Sequence, residues 1–228
     1  MLADPAGLTL PPRQRELARL ASLLAETPWA LRDADLERPR AAGLSDEGVV
    51  QAVTIVGIFS HLTRVADATG IELDYESPLP RLQVDRSREP APRPDPADWP
   101  APPAAPRLPL SLRPATAEAM SQWRRYVAQP GAGLSARDRA VIARAAAYRL
   151  CDARGLAAWD DARPETPREQ TLAAFAEKLT LTPWRMSAAD LAELRGLEGG
   201  GLDDRGCLAA AALVGFQNMD SRVRLALG

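Results

Sequence analysis

The chain is 228 residues long, 46% hydrophobic and 25% charged. That is the balance of a soluble globular protein with enough length to bury a substantial core. A formal net charge of −2 gives no basic footprint for nucleic acid or an anionic membrane surface, so neither partner is expected. Two cysteines and a single histidine argue against a disulfide framework and a histidine-rich metal centre, and no metal or organic cofactor is expected.

Along the chain, the first twenty residues lack a basic stretch followed by an apolar run, so no signal peptide is read and a cytoplasmic location is expected. Leu17, Leu20, Leu23 and Leu24 then fall on one stripe of an amphipathic helix. Thr27-Pro28-Trp29 reads as a hinge in which Thr caps, Pro starts a turn and Trp covers the junction. Ser45 is an N-cap for a long helix that Gly70 stops, and its apolar run Val49–Phe59 alone is too short to span a bilayer. Twelve prolines between Pro78 and Pro114 define an extended linker. Leu79, Leu82, Val84, Trp99, Leu108 and Leu110 give that linker apolar points to dock on the protein surface. Helices are predicted over 115–129 and 135–158, the second opened by the Ser135/Asp138 capping box. Thr166-Pro167-Arg168-Glu169 and Ser187/Asp190 open two more. Nothing reads as a strand.

The sequence repeats itself. Thr27-Pro28-Trp29 and Ala34-Asp35-Leu36 return as Thr182-Pro183-Trp184 and Ala189-Asp190-Leu191, an offset of 155. After a three-residue insertion in the glycine stretch, the offset becomes 158. Leu44, Asp46, Val56-Gly57, Arg64 and Gly70 then match Leu202, Asp204, Val214-Gly215, Arg222 and Gly228. Such an ordered series implies a duplicated three-helix unit over roughly 10–70 and 166–228. The expected organisation is an N-terminal half-unit at 1–75, a proline-rich linker at 76–114 and a C-terminal unit at 115–228, all-α throughout.

Gly133-Leu134-Ser135 with Arg139, "AFAEKLT" at 174–180, Ala189-Asp190-Leu191 and "FQNMDSRVRLALG" at 216–228 carry a family resemblance. In that order they resemble the alkylhydroperoxidase (AhpD-like) and carboxymuconolactone decarboxylase-like superfamily, in its peroxidase-related branch. The resemblance implies an all-helical fold, association into homo-oligomers and, in the family at large, a redox centre spaced E-x11-C-x2-C-x3-H. In that chemistry one thiolate attacks peroxide and a second resolves the sulfenic acid. If Asp138 stands for the Glu, the two cysteine positions fall on Leu150 and Ala153. If Cys151 is the first cysteine, the second position falls on Arg154. No register restores the set, so the dithiol centre is absent.

Three readings of function follow. One is a divergent member that binds a small molecule or serves as an oligomeric partner. Another is a peroxidase using Cys151 as its sole peroxidatic thiol, with Asp138 in the place of the family's Glu and Arg149 and Arg154 lowering the thiol pKa. The third is a non-redox, decarboxylase- or isomerase-like enzyme with a pocket near His61. The pocket candidates are His61, Arg64, Gln217, Asn218, Arg222, Trp29 and Trp184. Arg64 and Arg222 recur at one place in the repeat, either pairing with carboxylates such as Asp67 or Asp35 or receiving an anionic ligand. Cys207, in an apolar slot, is assigned to the core.

Overall fold

The computed structural model describes residues 9–71 and 85–228. Among them every regular element is helical: α1 (Pro12–Glu26), α2 (Asp33–Ala41), α3 (Asp46–Thr69), α4 (Pro114–Ala128), α5 (Ala136–Arg149), α6 (Ala153–Ala157), α7 (Pro167–Leu181), α8 (Ala188–Arg195) and α9 (Asp204–Leu227). The helix starts are where cap chemistry puts them. Ser45 Oγ accepts from the Gly48 N–H at 3.1 Å, and Gly70 closes α3 in the left-handed region at φ 66°. Ser135/Asp138 and Thr166/Glu169 each form a reciprocal capping box, and at Ser187 the Asp190 carboxylate accepts from both the Ser187 N–H and its hydroxyl.

Two runs of elements have the same layout. α1 and α7 are each 15 residues long and open on a proline. Single 3-10 turns follow, at Pro28–Ala30 and Pro183–Arg185. Each run then has a short helix, α2 or α8, and ends on a 24-residue helix, α3 or α9. α3 and α9 pack along one another through the centre. They come closest where glycines remove the side chain: a Cβ on Gly57 would lie 3.1 Å from Met219, and one on Gly215 would lie 2.6 Å from His61 Nδ1. α5 packs against both α7 and α9, so α9 is enclosed on nearly every side. α3 is not. Ile55, Ile58, Phe59 and Leu62 recur at helical spacing on its outer face and are 43–61% exposed, and Trp123 and Tyr126 of α4 are exposed too.

The structure departs from the sequence-based expectations at several points. The helix expected over 135–158 breaks at Leu150–Cys151, where Cys151 adopts φ 55°, and restarts as α6. The cause is Asp152, whose carboxylate takes the Gly155 N–H at 2.9 Å and so acts as a new N-cap. Thr27 and Thr182 do not cap the turns that follow them; they terminate α1 and α7. α3 as a whole is long and apolar enough in composition to cross a membrane, which the run Val49–Phe59 alone does not indicate. Its Val49, Val50 and Val53 are fully buried inside the protein.

The described part of the proline-rich segment is docked. Leu108 is buried, Trp99 packs on Tyr148 at 5.3 Å, and the Arg107 N–H donates to the Leu227 carbonyl at 2.7 Å. Leu79, Leu82 and Val84 lie outside the described residues.

Candidate functional site

The two Thr-Pro-Trp hinges bring Trp29 and Trp184 to one pocket of about 250 Å³, which Arg64 and Arg222 also line. Each arginine reaches from a long helix to the C-terminal end of the opposite first helix. Arg64 of α3 donates from Nη2 to the Thr180 carbonyl of α7 at 2.9 Å, and from Nη1 to Ser60 at 3.0 Å. Arg222 of α9 donates from Nε to Leu24 at 3.0 Å and from Nη2 to Ala25 at 3.1 Å, both on α1. Its Nη1 also serves the Asn218 carbonyl and the Asn218 Oδ1. Ala25 and Thr180 are related by the same 155-residue offset as the Trp pair. The last carbonyls of a helix lack intrahelical partners and sit at the negative end of its dipole, so a guanidinium is a fitting cap.

The carboxylate partners expected for these arginines are not used. Among the described residues Arg64 makes no ion pair with Asp67, and Asp35 instead pairs with Arg19 at 3.6 Å. Burial lowers the Arg64 pKa to about 10, against a partial Coulombic offset from Asp67. Burial pushes Arg222 well below the ordinary arginine value, and the charge of Arg64 adds to the effect. Arg64 Nε is buried with no partner, as is Trp184 Nε1. The pocket lining thus combines two arginines, two tryptophans and the apolar side chains of Leu150, Leu181 and Pro183.

A strap from the proline-rich segment, Arg88 to Ala91, closes one side. Arg185 holds it by donating to the Arg86, Ser87 and Arg88 carbonyls at 2.8–3.0 Å and to Glu89 Oε1 at 2.6 Å. Arg88 pairs with Glu26 at 2.8 Å and lies 5.8 Å from the centre of the Trp184 ring. Sequence reasoning missed Arg185 and the strap. Arg185 matches Ala30 in the other run, so the repeat could not flag it.

The remaining predicted residues lie elsewhere. His61 packs edge-on to Trp123 at 5.5 Å and against Gly215. Burial lowers its pKa, and a backbone contact with Gly215 offsets part of that. Asn218 stands behind the pocket, its Nδ2 donating to Thr180 Oγ1 and the Val214 carbonyl, both at 2.9 Å. Gln217 belongs to a separate polar cluster, donating to Ser221 Oγ at 2.9 Å; Ser221 donates to Asp152, which pairs with Arg224 at 3.1 Å.

Asp138 accepts from the Ser135 N–H and pairs with Arg168 at 3.1 Å. Burial pushes this carboxyl up, but the Arg168 and Ser135 hydrogen bonds more than reverse it, leaving the pKa lowered. Cys151 is fully buried, and burial raises its thiol to about 11. The cations expected to activate it are engaged elsewhere, Arg149 with Glu177 and Arg154 with the Pro103 carbonyl. Cys207 is buried in the core. No protein-family model, curated protein or solved structure matches this chain.

Proposed function

We propose that the protein is a divergent, internally duplicated relative of the alkylhydroperoxidase and carboxymuconolactone decarboxylase-like superfamily. On this reading it has lost the dithiol centre and binds a small molecule between its two units. The observation that carries the reading is the convergence of Trp29, Trp184, Arg64 and Arg222, two from each run of elements, on one pocket. The matched lengths of α1 and α7 and of α3 and α9 support the duplication. So does the exchange of arginine caps between the two runs. Peroxidase chemistry through Cys151 is disfavoured, because attack on peroxide needs a reachable thiolate and this thiol is buried with a raised pKa.

Two measurements test the proposal. Peroxide consumption with a dithiol reductant is expected to be at background for the wild type and for Cys151→Ser; turnover that vanishes in the variant would restore the peroxidase reading. A thermal-shift screen of small metabolites is expected to give hits that Trp184→Ala loses, and a screen without such hits would remove the binding role.

A further inference from the structure

We propose that the ligand of this pocket is a small organic anion, a carboxylate carried on a flat apolar body. This inference rests on the pocket being a binding site at all.

Its first support is charge. Two arginines line one pocket, both less than a tenth exposed, and among the described residues neither has a carboxylate partner. Removing a cation from water is expensive unless an opposite charge comes with it. Helix-end carbonyls supply only partial charges. The acidic residues at the pocket, Glu26 and Glu89, do not answer the need, because Arg88 and Arg185 hold them at 2.8 and 2.6 Å. Nor is donor capacity exhausted: a guanidinium carries five N–H groups, and Arg64 uses only its two Nη atoms while Nε has no partner. Trp184, another lining residue, likewise has its Nε1 buried without a partner. Arginine suits a carboxylate because its planar fork matches the two oxygens.

The body of the ligand follows from the rest of the lining. Two indoles, two leucines and two prolines surround the charged end, which favours a flat apolar group over a sugar or a hydrated ion. At about 250 Å³ the space is below the roughly 300–1,000 Å³ of sites for drug-sized molecules. The ligand is therefore small, with one ring or its equivalent.

The test compares benzoate with its neutral analogue benzamide on the full-length protein, by calorimetry and tryptophan fluorescence. The expected result is benzoate binding at least about tenfold tighter than benzamide, since a charge-assisted pair is worth more than a neutral hydrogen bond. Arg64→Gln and, separately, Trp184→Phe should weaken benzoate and leave benzamide little changed. Arg125→Gln, an exposed arginine on α4, should alter neither. Equal binding of the two compounds would overturn the anionic class and leave a neutral-ligand pocket standing. Binding of neither would overturn both the class and the binding role. Benzoate binding that survives Arg64→Gln but falls with Arg125→Gln would move it to the surface and overturn the assignment. Should Arg64→Gln fold poorly, the wild-type comparison and Trp184→Phe still decide.

Discussion

Gly57 and Gly215 sit at the crossing of α3 and α9, yet a methyl group added at each meets different surroundings. At Gly215 it would press on the His61 ring at 2.6 Å and on the His61 carbonyl at 3.0 Å, and the backbone cannot step aside cheaply. At Gly57 the nearest atoms are side-chain carbons, Met219 Cγ and Val223 Cγ2, both 3.1 Å away, with the backbone carbonyl of Met219 farther off at 3.4 Å. Alanine also gains about 1 kcal/mol over glycine in a helix interior. Gly215→Ala is therefore expected to lose about 2 kcal/mol of stability, and Gly57→Ala to stay within about 1 kcal/mol of wild type; urea denaturation of both variants checks the contrast. Cys151 makes a second prediction at this scale. A thiol that is buried and raised to about 11 should resist alkylation at pH 8 until urea opens the fold, as mass spectrometry would read directly.

Helix ends dominate the next scale. Asp138, Glu169 and Asp190 occupy the same place at three helix starts, each accepting the N–H of the cap residue, and all three have lowered pKa values. For Glu169 the leading cause is the Glu165 N–H, while for Asp190 burial pushes up and Lys178 with Ser187 more than reverse it. A carboxylate whose folded pKa is depressed stabilises the fold above its unfolded value, roughly 4. That contribution is lost as pH falls through the folded value. Asp67, raised by burial, acts in the opposite sense. The expected profile begins to fall below about pH 6.5, where the unfolded His61 takes up a proton that the buried imidazole resists, and falls further below about 4, and a Tm series would show it. At the C-terminal ends, Arg222→Met strips caps from Leu24 and Ala25. It should cost about 2 kcal/mol and speed amide exchange in the last turn of α1, with α7 unaffected.

Across the whole molecule, the helical class and most helix starts were legible, because caps, prolines and apolar spacing are local. Asp138 shows the limit for sites. Its position next to the sequence of the redox motif invited a catalytic role, but S-x-x-D is first a capping box, and Arg168 thirty residues on completes it. Arg64 and Arg222 were visible as a recurring pair, whereas their partners, the Thr180, Leu24 and Ala25 carbonyls, are backbone groups that no side-chain pattern announces. The strap over the pocket was illegible for a similar reason, since Arg185 grips carbonyls of whatever residues pass by. The bare outer face of α3 belongs to this scale as well. Its counterpart on α9 is covered by α4 and α5, and nothing in the described chain covers α3 in that way. We propose that a second copy does. Light scattering should give an oligomer for the wild type and a smaller species for Phe59→Glu or Leu62→Glu, with helicity kept.

The traded arginine caps also set a clock on biosynthesis. The Leu24 carbonyl waits for a guanidinium 198 residues downstream, which takes roughly 10–40 s to be made at 5–20 residues per second. Until α9 is synthesised, α3 has only α1 and α2 to pack on and lacks its main partner, and α1 ends on open carbonyls. A ribosome carrying only the first half of the chain thus displays a long apolar helix that cannot yet settle. The nascent protein should be a chaperone client for most of its translation, and should leave that state only when the final helix arrives.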